Sequence, residues 1–226
     1  MNAKKLHLEE LKFDQLSQLA TFIVAENFNH HANEEMPENF EKDVFSIYEE
    51  EKRYFMNSQI FVAKDSINSL VGAIRVLRWN YVDQLPIEKM FGIDPLSVDP
   101  INELRPIWHI GRFATKKNCA DFNLFKKLMV SAIAPICQNK KSIAFAEIDS
   151  KLLRVMRIMG IKAKVVGESI NYLGSETIPI AMDYDGLIDF YNKNRALLPA
   201  AQVPATPETT WMPTMTQTTN NFHTAA

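Results

Sequence analysis

Cysteine is nearly missing from this sequence. Its 226 residues hold two, Cys119 and Cys137, and no CxxC pair. That excludes a disulfide framework and a thiolate zinc site, and it sets a reducing, cytoplasmic location as the expectation. No stretch approaches the roughly 18 to 20 apolar residues that cross a bilayer. The opening MNAKKLHLEELKFDQL has no apolar core of signal-peptide length. The chain is therefore expected to be soluble, with no stable membrane insertion. It also lacks a strong excess of one charge: the net charge is −2 and the isoelectric point is near 6.2. The basic residues do not reach the density of a nucleic-acid-binding arm, so nucleic acid is not an expected partner.

What is present is ordinary in amount and uneven in placement. Hydrophobic residues make up 46 % and charged residues 23 %, a globular composition at a length that supports one sizeable domain. Residues 1–52 hold twelve acids against five lysines, whereas residues 116–164 hold eleven Lys or Arg against three acids. The basic half suits a phosphate-bearing or acidic partner, or it is simply a solvated face.

Periodicity outlines the elements. Residues 6–13 read as a strand. Asp14 reads as the cap of a helix over 15–29, with Leu16, Leu19, Phe22 and Ile23 on one side. Phe40, Val44, Ile47, Tyr48 and Phe55 give a second helix over 38–56, opened by Pro37. QIFVAKD and SLVGAIRVLRW flank an Asp65–Asn68 turn as an antiparallel hairpin. Residues 80–106, with four prolines, read as a long excursion containing one short helix. A strand over 107–115, a helix from an Asn123 cap to about Gln138 that Pro135 kinks or shortens, and a strand over 142–148 form a βαβ unit with parallel strands. A short helix over 151–159 closes at Gly160. Strands over 161–173 and 176–183 and a helix over 185–193 complete the predicted domain, 1–197. Residues 198–226, rich in Thr, Pro and Ala, are expected to be a disordered tail.

One stretch breaks the pattern of a core strand. IWHIGRFATKKNC, residues 107–119, carries His109 and Arg112 in apolar surroundings and then turns basic. Buried polar groups are costly unless they are paired or used. Strict alternation puts His109 and Arg112 on opposite faces; a β-bulge at Gly111 would bring them together. His109 is either a core histidine satisfied by hydrogen bonds or a general base, since its unperturbed pKa of about 6.5 suits proton transfer. Arg112 and Arg75 each need an acidic partner, and Glu147 and Asp149 on the next strand are the candidates.

The element order resembles that of the GNAT superfamily of N-acyltransferases, a mixed α/β fold with a central mixed sheet flanked by helices. WHIGRFAT, residues 108–115, resembles the W-E-[IL]-[ST]-R-F-[AV]-[VT] segment of acyl-homoserine-lactone (autoinducer) synthases and N-acyl amino acid synthases, which share that fold. Val71–Leu77 resembles their G-x-x-R-L-L element, and Tyr172–Ile180 their C-terminal strand region. Four departures stand out. His109 occupies the place of the synthases' glutamate. The R-x-x-V-F pattern near their N-terminus is not reproduced in helix 15–29. The turn 116–121 has no glycine, unlike the [QR]-x-x-G-x-[GA] phosphate loop of other GNAT enzymes, and Met156 stands where many of them carry an acidic tyrosine.

The resemblance implies an N-acyltransferase moving an acyl group from acyl-CoA or acyl-carrier protein to the amine of an amino acid or small metabolite, with no metal. The alternatives are a small-acyl acetyltransferase and a non-catalytic binding module. His109, Arg112 and Arg75 are the expected catalytic residues, with His109 as base and Arg112 on the acceptor's carboxylate or orienting the base. Phe113, Ala114, Thr115, Lys116, Lys117 and Asn118 are the expected bed for the donor's pantetheine and phosphate. Lys126, Lys127, Lys151, Arg154 and Arg157 would serve an acyl-carrier protein, unless they are merely the exposed faces of two helices. Cys119 is expected to be structural, and His30, His31, Glu34 and Glu35 to be exposed.

Overall fold

The computed structural model of the chain describes residues 6–31, 39–98, 105–117, 119, 121, 123–172 and 175–198. Eight strands form one mixed sheet: β1 (His7–Glu10), β2 (Ser58–Lys64), β3 (Leu70–Arg78), β4 (Ile107–Thr115), β5 (Ile143–Asp149), β6 (Lys164–Val165), β7 (Ile170–Tyr172) and β8 (Ser175–Asp183). Their spatial order is β1-β2-β3-β4-β5-β8-β6, with β7 also on β8. β4 and β5 are the parallel neighbours; the other pairs run antiparallel. The α-helices among the described residues are α1 (Leu16–His31), α2 (Phe40–Tyr54), α3 (Pro86–Phe91), α4 (Leu124–Ile133), α5 (Ser150–Ile158) and α6 (Tyr184–Asn194).

Strand alternation divides the core between two faces. Ile60, Val62 and Ala73 point towards α1 and α2, meeting Leu16, Leu19, Ile23 and Ile47. Phe61, Ile74 and Val76 point the other way, to Leu128 and Ile133 of α4, Leu153 of α5 and Phe190 of α6. β3 lies inside the sheet between β2 and β4, and its residues Leu70–Leu77 are all buried. Arg75 is among them at 1 % exposure.

The expected mixed sheet and the parallel βαβ unit are both present. Several local expectations need correction. β1 is shorter than predicted, and Asp14 does not cap α1: it lies inside a 3-10 turn, Phe13–Gln15. The turn is held instead by the Lys12 N–H donating to Gln15 Oε1 at 3.0 Å. α4 stops at Ile133 and tightens into a 3-10 turn at Ile136–Gln138, because Pro135 has no N–H and crowds the carbonyl four residues back. Asn123 occupies the cap position of α4 without a side-chain bond. The single strand over 161–173 is two short ones, β6 and β7, interrupted at residues 166–169. Gly160 closes α5 as expected, at a φ of 87° that disfavours any residue with a Cβ. Pro37, Glu34, Glu35 and residues 199–226 fall outside the described residues, as do the side chains of His30 and His31. No helix among the described residues is long and apolar enough to cross a membrane.

β4 positions the site. It pairs with β5 only from Ile107 to His109, against Ile143–Phe145. Beyond that the two strands part, and a cavity of about 780 Å³ opens between them.

Candidate active site

A glutamate on an apolar helix stripe begins the site. Phe40, Val44, Ile47 and Tyr54 follow helical spacing along α2, and Glu51 falls on the same side. Its side chain is fully buried, and its Oε1 accepts from Arg75 Nη1 at 2.5 Å. The Arg75 guanidinium also lies 5.3 Å from the centre of the Tyr54 ring. Burial alone pushes the Glu51 carboxyl up, but the charges of Arg75 and Arg112 outweigh it and hold the carboxyl below its ordinary value.

Arg112 reaches the same carboxylate through a bulge. Ala73 pairs with Ala114 and Arg75 with Gly111, so two steps along β3 match three along β4. The expected bulge is present, but the residue in the left-handed conformation is Arg112, with φ 55°, and not Gly111. For a residue with a Cβ this costs roughly 1–2 kcal/mol. Two carboxylates offset it: Arg112 Nε donates to Glu51 Oε1 and Nη2 to Glu50 Oε1, each at 2.7 Å. Burial would lower the pKa of this guanidinium, but Glu51 and Glu50 hold it above the ordinary value.

Gly111 serves close approach. A Cβ there would lie 2.8 Å from His109 Cε1 and 3.3 Å from Arg75 Nη2. Gly111→Ala is expected to cost about 1–3 kcal/mol by overpacking and to displace the His109 ring. Denaturant unfolding checks the first effect. A wild-type midpoint would show that the ring gives way freely.

The partners of His109 fix its tautomer. A guanidinium only donates, so Nδ1 accepts from Arg75 Nη2 at 3.1 Å. The proton then sits on Nε2, which donates to Glu147 Oε2 at 2.8 Å. Glu51, Arg75, His109 and Glu147 thus form one continuous chain from α2 across β3 and β4 to β5. The side chain of Glu147 is 9 % exposed. Its Oε1 is buried and has no hydrogen-bond partner among the described residues. Glu147 lines the cavity, as do Arg75, His109, Gly111 and Arg112.

The expected partners of the arginines need correction. Glu147 pairs with His109, and Asp149 caps α5 by accepting from the Leu152 N–H at 2.6 Å. The acids on the arginines are Glu50 and Glu51, which sequence reasoning missed. Glu51 left a signal, as a carboxylate interrupting an apolar stripe. Glu50 left none. His109, Arg75 and Arg112 are brought together as a cluster, but both ring nitrogens of His109 are engaged and its side chain is 2 % exposed.

Phe113, Ala114, Thr115, Lys116 and Lys117 line the cavity, and Asn118 falls outside the described residues. The turn after β4 already holds carboxylates. The Lys117 N–H donates to Glu26 Oε2 at 3.1 Å, and Lys117 Nζ donates to the Asn29 carbonyl at 3.0 Å. At the start of α4, Asp121 accepts from the Asn123 N–H and from Lys127 Nζ, each at 2.8 Å. Cys119 is half-buried against the core. Met156, where a tyrosine acid would stand, is buried at 2 % exposure. On α5 the side chains of Lys151, Arg154 and Arg157 are exposed.

No family model matches the sequence, and no curated protein matches it by sequence. Solved structures do match the fold. TofI, in a ternary complex with an inhibitor and MTA, superposes with a TM-score of 0.55 at 13 % identity, covering 85 % of this chain and 99 % of its own. FeeM, an N-acyl amino acid synthase from uncultured soil microbes, gives 0.55 at 13 % identity, covering 85 % of this chain and 98 % of its own. An acetyltransferase of the GNAT family from Staphylococcus aureus gives 0.51 at 12 % identity, covering 80 % of this chain and 99 % of its own. At such identities the likeness is one of architecture: this chain has the GNAT fold, in a form similar to FeeM and TofI.

Proposed function

We propose that this chain is an N-acyltransferase that moves an acyl group from a thioester of CoA or acyl-carrier protein to a small-molecule amine. The observation that carries the reading is the buried chain from Glu51 to Glu147. It ends at a carboxylate oxygen with no partner among the described residues, beside a cavity made by the parting of β4 and β5. A buried acceptor left unpaired costs about 1–3 kcal/mol, which a ligand's N–H would recover.

In this reading Glu147, rather than His109, receives the proton of the acceptor amine. His109 is a positioning residue: its Nε2–H orients Glu147, and Arg75 fixes the tautomer. The freed amine attacks the thioester carbonyl carbon. In this reading a backbone N–H of β4, where that strand parts from β5, donates to the developing oxyanion. The C–S bond then breaks and the C–N bond remains. Of the two protons lost by the ammonium, one leaves on the thiol and one reaches solvent. Phe113, Ala114 and Thr115 border the pantetheine arm. Lys151, Arg154 and Arg157 offer an exposed cationic face to an acidic carrier protein.

The carboxylates of Glu26 and Asp121 occupy N–H groups that a diphosphate would otherwise take. The CoA nucleotide is therefore expected to add little affinity. Decanoyl-CoA and decanoyl-phosphopantetheine should give KM values within about threefold of each other, a difference under 1 kcal/mol. A much weaker phosphopantetheine donor would assign the nucleotide a site of its own.

The reading is tested by mass spectrometry of lipid extracts from cells expressing wild-type and Glu147→Gln protein. New N-acyl amines should appear with wild type and be lost with the variant. If both folded proteins leave the extract unchanged, with thioester donors also failing to raise thermal stability, the non-catalytic binding module becomes the better account.

A further inference from the structure

The charges around the cavity's polar end do not cancel. Glu50, Glu51 and Glu147 contribute three carboxylates against the guanidiniums of Arg75 and Arg112. His109 adds no charge in the tautomer its partners impose. Both guanidiniums pair with carboxylates of α2: Arg75 with Glu51, its Nη2 also donating to His109, and Arg112 with Glu51 and Glu50. Among the described residues, Glu147 has the imidazole N–H of His109 as its hydrogen-bond donor, and its other oxygen is buried without a partner.

The remaining cations of the cavity wall do not redress this. Lys117 is held by Asn29 in the turn after β4. Lys89 is 62 % exposed and already leans on Glu50 at 3.9 Å. Lys116 and Lys151 are also exposed, so water and salt screen their pull on a bound anion. An isolated carboxylate in a desolvated site is costly without a partner, and an ammonium supplies one. A carboxylate on the carbon next to that ammonium would be drawn in beside Glu147, with the two nearest guanidiniums already neutralised.

We propose that the acceptor is a primary amine with no carboxylate on the amine-bearing carbon, bound as a cation against Glu147. This deepens the acyltransferase reading and rests on it. It also reassigns Arg112, whose guanidinium holds α2 against the bulge and is not available to an acceptor's carboxylate.

Matched pairs that differ only by the α-carboxylate test the idea: phenethylamine against phenylalanine, and tyramine against tyrosine. Calorimetry on the full chain measures binding, and thiol release from decanoyl-CoA measures transfer. The amine of each pair should bind at least tenfold more tightly and show at least tenfold higher kcat/KM. Glu147→Gln, which keeps the shape and the contact with His109, should reduce that binding preference to under threefold. Equal or tighter binding of the amino acids overturns the inference and leaves acyl transfer standing. Amines that bind with the expected preference, but release no thiol with any donor, support the cation site and remove the transferase. Binding of neither class overturns both.

Discussion

Glu147→Gln is expected to lower kcat for acyl transfer by about 10²–10⁴-fold, the usual worth of a positioned base. The amide keeps the volume of the acid, and its oxygen can still accept from His109 Nε2. The fold should survive, with a melting temperature close to wild type. KM for the thioester should change little, because the proposed function places the donor along β4 and not on Glu147. Steady-state kinetics with a thiol-trapping dye, together with a thermal melt, separate the effects. A variant that retains more than about a tenth of wild-type kcat removes Glu147 as the base. His109→Ala gives the complementary reading. The notion that His109 is itself the base predicts a loss as large as that of Glu147→Gln. A positioning role predicts a smaller loss, accompanied by a shifted pH–rate profile because Glu147 has lost its N–H donor.

The second large effect is on stability. Glu51→Ala leaves Arg75, in the middle of β3, and Arg112, at the bulge, without their shared acceptor. Breaking a buried ion pair from one side costs about 3–5 kcal/mol. For a domain of this size each kcal/mol moves the melting temperature by roughly 2–4 °C, so a fall of roughly 6–20 °C is expected. Glu51→Gln keeps one acceptor oxygen and should lose less. Calorimetry on both variants checks the order. A Glu51→Ala protein that melts with wild type would mean that solvent reaches the arginines.

The same group gives acid sensitivity a definite sign. In the fold Glu51 sits below its ordinary value of 4.5, because its two arginines outweigh the effect of burial. The unfolded chain therefore binds this proton more readily than the folded one. The stability from Glu51 is complete above about pH 4.5 and is lost as pH falls from there through the folded value. Glu51→Gln should flatten that acid limb in pH-dependent denaturant melts. An unchanged limb would place the loss in other carboxylates, such as Glu9, which its hydrogen bond with Lys64 holds low despite partial burial.

Local chemistry made much of the architecture legible. The apolar runs of β2, β3 and β4, the turn at Asp65–Asn68 and the Gly160 stop are written in neighbouring residues, because each depends on contacts within one element or one hairpin. The oddity of β4 was also legible: a His and an Arg in a strand this apolar had to be satisfied by something. The sequence determined that polar groups would be buried there and that a bulge could gather them. Tertiary structure decided which residue took the left-handed turn, since Arg112 at φ 55° is bound by carboxylates 61 and 62 positions earlier in the chain. It decided that Glu51 and Glu50, not Glu147 and Asp149, answer the arginines, because the fold brings those two side chains of α2 within hydrogen-bond reach of both guanidiniums. It also decided the role of Glu147. Spacing along a chain cannot say which of two oxygens is left unpaired, and that depends on where β4 and β5 stop touching.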